Sequence, residues 1–533
     1  MKYPIATKQA KGRSTPLTAE MLVNMYAEQA PDGSRNQVAA IGCPGLSLFS
    51  NISTAWGSYI RGLYHVTGND TVWCVVGLTL YKVSSAGVAT SIGTIGGYGR
   101  VSMADNGVEL VVVADSISYV VTLASDTLTA ITDSDFPNAD TVAFLKGYFV
   151  FNNNQTGSKG QIFWSSLYGG ATYDALDFGT AESLSDNLVA VWRDHDRVLL
   201  FGTHTTESWF ASGDADAVFA PIPGSTINRG LGARWSIASL DNQVLFLDRE
   251  GVVRVADGAG TRVSTHAIEH EIAKGAWRHD DANAYDGAVA SSYIEEGHEF
   301  YVLTVPDTGT FVYDAATSLW HMRKSKDLSH SRASFHISAF GKILCGDTET
   351  GKLYEQSLDY YDEAGVHLIA EIQFPQIVND NKRFIVNSLQ LNIEVGEGYT
   401  SGSAGSPETY TFLTSPPYPV SVIEAMGSTF TSVEWLDAYA INEGMDAAFI
   451  SITGDLRAPL QTYDMVEEGM DSSFVSVTGV LDTVLLTYDM AEEGMDASFV
   501  SVTGELNAAL IVYSDYPPEG MDSTFVSITG SLA

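Results

Sequence analysis

Thr71-Val72-Trp73-Cys74-Val75-Val76-Gly77, followed by Leu78-Thr79-Leu80-Tyr81-Lys82-Val83, is the stretch that decides the fold. β-branched and aromatic residues dominate both halves, and Gly77 supplies a turn between them, so the stretch reads as two paired strands. The same phrase recurs loosely from about residue 60 to about residue 360. It pairs 110–113 (led in by Val108) with 117–121, 144–151 with 161–164, and 197–202 with 206–210. It returns as 244–248 with 251–255, 300–304 with 310–314, and 342–346 with 351–354. These units lie about 35 to 55 residues apart, the span of four-stranded propeller blades. Helical periodicity is almost absent, which makes the protein all-β. A pair of β-sandwiches is the competing architecture, but the regular spacing favours a β-propeller of six or seven blades, the most divergent units being hard to delimit.

Outward from that body the chain changes character. Residues 1–55 read as an N-terminal arm and the start of a ring-forming region, 56–362 as the propeller, and 363–430 as a smaller β domain and linker with Pro and Gly clusters. Residues 431–533 hold a tandem array with the consensus E-G-M-D-x-x-F-[VI]-S-[VI]-T-G-x-L, starting at Glu443, Glu468, Glu493 and Glu519. The starts are 25, 25 and 26 residues apart, and a worn copy sits at Glu424-Ala425-Met426. Within one copy, 474–478 alternates like a half-buried strand closed by Gly479, and a second apolar stretch runs through Leu485, Leu486 and Tyr488. Two short strands cannot bury a face alone, so neighbouring copies must stack or pack on the body. The segment from Asp489 to Glu493 reads as an acidic turn between copies. Two carboxylates beside a glycine invite a calcium reading, yet an oxygen cage takes about six to eight ligands and each copy offers few. An acidic turn that keeps the array soluble is preferred.

The 533 residues carry 28 basic and 65 acidic side chains, a formal charge of −37. Residues 401–533 contribute twenty acids against one base, Arg457, which is about half of the excess. A free-standing nucleic-acid binder would show basic footprints, and none is visible. Cys43, Cys74 and Cys345 are too scattered for a disulfide framework or a zinc site and read as small buried residues made in a reducing cytosol. The opening residues lack the apolar core of a secretory signal, and no stretch reaches the length of a membrane span, so synthesis and folding in the cytoplasm are expected.

Candidate chemistry is sparse. Asp194-His195-Asp196 is an acid–base cluster, but neighbouring side chains on an extended segment point to opposite faces and cannot converge without a special turn. His266, Glu269, His270 and Glu271 form the densest His/carboxylate group, and a short helix would place His266 and His270 on one face. The H-E-x-x-H order of a zinc protease is missing, as are the S-x-D-x-G-x-T-W box of sialidase propellers, a phosphate loop and a G-x-S-x-G elbow. Trp192 and Trp209 could bind sugar but lie in strand patterns and read as core. The expectation is no catalytic, cofactor-binding or metal-ligating residue, and a protein that is not an enzyme.

Near the N-terminus, Leu22-Val23-Asn24-Met25-Tyr26-Ala27-Glu28 is followed by Ile41-Gly42-Cys43-Pro44-Gly45-Leu46. This opening resembles the packaged-DNA stabilisation proteins of short-tailed bacteriophages (podoviruses), which form the tail hub or nozzle. Further phrases agree in order: Arg61-Gly62-Leu63-Tyr64, Leu80-Tyr81-Lys82-Val83, Gly99-Arg100-Val101-Ser102-Met103-Ala104, Trp192-Arg193-Asp194, Val312-Tyr313-Asp314 before Trp320, and Cys345-Gly346-Asp347 before Gly351-Lys352-Leu353-Tyr354. The resemblance spans about residues 5 to 360, and more weakly to about 400. It implies a virion protein: a homo-hexameric ring below the portal and its adaptor that extends the DNA ejection channel, retains packaged genome and holds a needle or plug. The C-terminal array departs from that pattern; it could dock tailspikes or fibres, touch the cell envelope or lengthen the nozzle, and docking or decoration is the preferred role for it. The rival expectations are a propeller adhesin that binds host glycan and a propeller that cleaves glycan.

Overall fold

The computed structural model describes residues 6–374 except 12–18, 31–37, 55–56, 116, 182–185, 215–216, 277–284 and 286. Beyond residue 374 it describes the backbone of strands lying between Tyr410 and Leu532. The chain divides into two compact units, 1–377 and 378–533.

The first unit is a seven-bladed β-propeller. The first strands of blades 1 to 7 are Ile60–Val66, Val101–Asp105, Ala139–Leu145, Leu188–Asp194, Ala238–Leu240, Val289–Glu295 and Ala333–Ala339. First strands of neighbouring blades touch one another from blade 5 through blades 6, 7 and 1 round to blade 4, so they surround the axis, and later strands of each antiparallel sheet step outward. The seven strand pairs expected from sequence are the second and third strands of the seven blades, with one correction. Residues 144–151 are not one strand: Ala139–Leu145 and Tyr148–Asn153 form a hairpin whose turn holds Lys146 and Gly147 at φ 51° and 96°. The continuous apolar run hid this turn, because both flanking strands are buried on both faces.

Burial on both faces explains why the deciding phrase reads as it does. In Thr71–Val76, Trp73 and Val75 pack toward blade 2, whereas Val72, Cys74 and Val76 pack toward blade 7. In Glu109–Ala114, Leu110, Val112 and Ala114 join the cluster with blade 1, and Val111 and Val113 the cluster with blade 3. A strand clamped between two sheets loses the apolar–polar alternation and keeps only β-branched bias. Blade 5 has three strands, and the helix His266–Ala276 after it buries Ile268 and Ile272 between blades 5 and 6. It is the single α-helix among the described residues. All three cysteines are buried thiols.

The ring is closed by the N-terminal arm. Strand Gly45–Ser53 pairs antiparallel with Gly351–Ser357 as the outer strand of blade 7, so the propeller draws on residues before 56. Met21–Val23 extends the sheet of blade 6, pairing with Leu319–Arg323 and with Glu371–Gln373, and Asp362–Glu363 joins blade 7. The two opening phrases of the family resemblance, 22–28 and 41–46, are parts of this clasp. Asn24, held at φ 56°, donates its side-chain N–H to Lys324 O (2.8 Å) and Ile369 O (2.7 Å) and accepts from Lys324 N (2.9 Å). A Cβ on Gly45 would collide with the carbonyl oxygens of Tyr360 and Asp362. Arg323 donates to Gln356 Oε1 (2.8 Å) and to Pro44 O (2.7 Å), tying blade 6, blade 7 and the arm together in the buried core.

In the second unit, strands alternate between a six-stranded and a five-stranded parallel sheet, so each repeat contributes one strand to each. Gly469–Leu481, Gly494–Leu506 and Met521–Leu532 pair in register, like residue on like. Leu460–Val466, Leu485–Ala491 and Leu510–Ser514 do the same in the other sheet. This is the stacked array expected from the repeat period. The acidic turn is a correction: Gly494-Met495-Asp496 lies inside a strand, and Asp489 to Ala491 end the preceding one. Parallel neighbours above and below satisfy the backbone there, so the strands run longer than local propensity suggests. Most of the smaller domain expected over 363–430 lies outside the described residues.

Candidate functional site

The start of each first strand faces one end of the axis, and arginine collects there. Arg61 is buried and donates Nε to Gly99 O (2.6 Å), Nη1 to Gly77 O (2.8 Å) and Nη2 to Gly96 O (3.3 Å), clamping the crossing from blade 1 to blade 2. Burial lowers its basicity from the usual arginine range. Arg234, ahead of blade 5, pairs with Asp140 of blade 3 (2.9 Å) and donates Nε to Val189 O of blade 4 (3.2 Å). Burial raises the pKa of Asp140 in spite of that partner. Arg100, ahead of blade 2, reaches over the ring of Phe335 in blade 7 with its guanidinium 4.5 Å from the ring centre.

Of these groups, Arg100 lines a pocket of about 340 Å³, together with Tyr59, Ile60, Gly99, Trp235, Gly287 and Thr348. These residues come from blades 1, 2, 5, 6 and 7. In a ring of seven, blades 1 and 2 are not neighbours of blade 5, so the cavity crosses the axis. Spacing in the sequence gave no sign of it, because its walls come from five loops that only ring closure brings together.

The candidates from sequence go elsewhere. Asp194 and His195 lie at a hairpin and converge through the special turn that an extended segment lacks, His195 standing in a left-handed turn at φ 54°. Its Nδ1 lies 2.6 Å from Asp194 Oδ1, and its Nε2 lies 2.6 Å from Asn242 Oδ1 in the corresponding turn of blade 5. Hydrogen bonds first to Asn242 and then to Asp194 raise the imidazole pKa. Arg197 also holds Asp194 (2.6 Å), and Asp196 turns away to Lys146 of blade 3 (2.8 Å). The cluster is a set of stitches between blades, with no nucleophile beside the imidazole.

The helix does form over His266, Glu269, His270 and Glu271. Glu269 pairs with Arg262 (3.0 Å) and His266 (3.2 Å) and accepts from Ser264 (2.8 Å), while Glu271 takes Lys274 (2.5 Å). Among the described residues no group of three His, Cys, Asp or Glu could hold a metal ion. Trp209 is buried and donates Nε1 to Glu207 (2.9 Å). Trp192 is half-buried and donates Nε1 to Ser239 of blade 5 (3.2 Å). No described helix is long and apolar enough to cross a membrane.

A family model described as bacteriophage P22 Gp10, beta-propeller, matches residues 1–360. The chain belongs to that family. Its members are phage structural proteins that stabilise packaged DNA, which makes this chain a virion component. The match ends just after the closing blade, so the C-terminal array lies outside it. No curated protein matches the chain. Among solved structures, the extracellular domain of a one-component system from B. thetaiotaomicron aligns at 11% identity and a TM-score of 0.39. That alignment covers 59% of this chain and 40% of the other. A chain of the mitotic checkpoint complex aligns at 12% identity and a TM-score of 0.38, over 62% of this chain and 96% of that one.

Proposed function

We propose that this protein is the tail hub or nozzle subunit of a short-tailed phage, assembled as a homo-hexamer beneath the portal–adaptor ring. The family match over 1–360 carries the reading. The ring extends the ejection channel, retains packaged DNA and offers attachment for a needle or plug. Its role is mechanical and not enzymatic: rigid closed propellers set matched edges, and a separate plug gates the lumen. The acidic excess of residues 1–400, 45 acids against 27 bases, supports a conduit. Duplex DNA carries one negative charge per roughly 1.7 Å, and an acidic wall lets it pass where a basic one would hold it. The parallel array serves as a rod that docks tailspikes or fibres.

The test is negative-stain electron microscopy of the purified protein, alone and mixed with the portal–adaptor complex. Six-fold rings with a central channel, or particles capping the adaptor, are expected. A monomer that ignores the adaptor sinks the proposal and turns attention to glycan binding.

A further inference from the structure

We infer that the N-terminal arm is an acid-released clasp, lifting from blades 6 and 7 as pH falls while the other blades stay closed. The first observation is what the arm covers. Its strand Met25–Gln29 brings Tyr26 against three rings of blade 6, with ring centres 5.1 Å from His298, 5.3 Å from Phe300 and 6.0 Å from His321. Tyr293 extends this cluster 4.9 Å from Phe300, and His336 of blade 7 stacks on it at 5.0 Å. Gln356, which accepts from Arg323 and lies 3.3 Å from His336 Nε2, sits opposite Leu46 of the arm. Three imidazoles therefore meet at the seam that Arg323 ties. The seam is also short of partners: Glu295 Oε2, His321 Nε2, Arg323 Nε and Gln356 Nε2 are shut off from solvent without a hydrogen bond. Such atoms cost stability, so the arm rests on a poorly satisfied part of the core.

The second observation is the charge beside the imidazoles. His321 and His336 are buried against the Arg323 guanidinium, so protonating either sets a second cation beside the first, away from solvent. Burial first, and then Arg323, pushes both down to about 3. His298 adds to the depression of His321 and is itself held by Asp314 (2.9 Å). The remaining titratable groups at the seam are Tyr293 and Glu295 of blade 6, Cys345 of blade 7, Tyr26 and Cys43 of the arm, and Glu363 beyond it. Glu28 and Glu296 face Tyr26, Glu296 and Asp359 face Glu295, and Arg332 and Asp347 face Glu363. The phenols and thiols stay neutral in acid. Glu295 and Glu363 are raised by burial, so their protonation favours the closed arm and offsets part of the histidine effect. Histidine works the other way. A depressed imidazole takes its proton only once the arm lifts, so closure weakens from about pH 6.5 downward, about tenfold per pH unit for each. The inference does not depend on hexamer formation.

The test is hydrogen exchange of the full-length protein at about pH 7 and about pH 5, on either side of the ordinary histidine value, each amide corrected for its intrinsic rate. Val38–Gly42 and Gly45–Ser53 should be less protected than Thr71–Val76 of blade 1 under both conditions. Their opening should increase at least about 10-fold in acid. His321→Gln should remove about tenfold per pH unit of that dependence, and His336→Gln should do the same. The comparison on the unaltered protein does not rely on any variant folding. Equal protection of the arm and blade 1 would mean that the arm leaves only when the whole propeller unfolds, which overturns the clasp. Opening indifferent to pH, or a pH dependence unchanged in both variants, would overturn the role of the imidazoles and the inference with it.

Discussion

The propeller and the C-terminal array are both built by repetition, and they repeat in opposite ways. Seven blades share one geometry with hardly a residue in common, whereas the array repeats its sequence nearly letter for letter. The difference follows from strand pairing. A blade pairs with itself, antiparallel, and meets its neighbours only through side chains, so any well-packed apolar set will serve. A parallel array pairs each repeat with the next, like residue on like. Phe449, Phe474, Phe499 and Phe525 fall on one ladder, and so do Asp471, Asp496 and Asp522. A ring also has a seam, and this one is sewn by residues far apart in the chain: Asn24, Gly45 and Arg323. An open array has none.

The largest effect should therefore come from the seam. Arg323→Met removes the buried cation that holds Gln356 and Pro44 O and leaves Glu363, whose pKa is raised by burial, without it. Breaking a buried charged network from one side costs on the order of 3–5 kcal/mol. Thermal unfolding should drop for the propeller, and amide exchange in Gly45–Ser53 should rise first, with the array unaffected. Equal protection of that strand in the variant would show that the outer strand closes the ring without the arginine.

Acid should then move the two units in opposite directions. His321 and His336 are buried near Arg323, and burial, reinforced by that charge, depresses both to about 3. The unfolded chain takes up these protons near pH 6.5 and the folded one does not. The propeller thus loses stability as pH falls from about 6.5 toward 3, by up to about 1.4 kcal/mol per pH unit for each imidazole. In the array the register alone sets Asp471, Asp496 and Asp522 on one ladder, and like charges opposite one another destabilise a sheet, so stability rises as pH falls through the carboxylate range. Calorimetry at pH 7 and pH 4 should show one transition falling and the other rising. Eight of the nine tryptophans precede residue 378, so fluorescence identifies the propeller transition. Two transitions falling in parallel would refute the contrast.

Asp496→Asn isolates the ladder. Like charges directly opposite in a sheet cost roughly 0.2–1 kcal/mol, so this change in the middle row should raise the melting of the array at pH 7 and do little at pH 4. A destabilised array would mean that the aspartates bind something, and a calcium titration would follow.

Legibility in the sequence tracks the same contrast. The middle strands of each blade were readable because burial on both faces writes a continuous apolar run such as 71–76. First and outer strands were not, since Ala238–Leu240 is only three residues long and Gly45–Ser53 lies about 300 residues from its partner. The array announced itself, because like-on-like pairing forbids drift. The axial cavity was invisible: Tyr59, Arg100 and Trp235 share no spacing, and only the curvature of the ring brings them together.

The smallest effect separates a stitch from a site. His195 is exposed, and its raised pKa comes first from Asn242 in the next blade and then from Asp194. A raised histidine adds stability that is fully present below the unfolded value and disappears as pH climbs through the folded one. Asn242→Ala removes the larger cause, so the His195 pKa should fall toward, but not below, its ordinary value, as read by NMR titration of the ring protons. The midpoint of unfolding should shift only slightly, because neighbouring blades 4 and 5 are already joined by Phe201 against Phe246 in the core between them. If the pKa stays where it was, Asp194 alone holds the proton. The turns of blades 4 and 5 would then touch without being coupled.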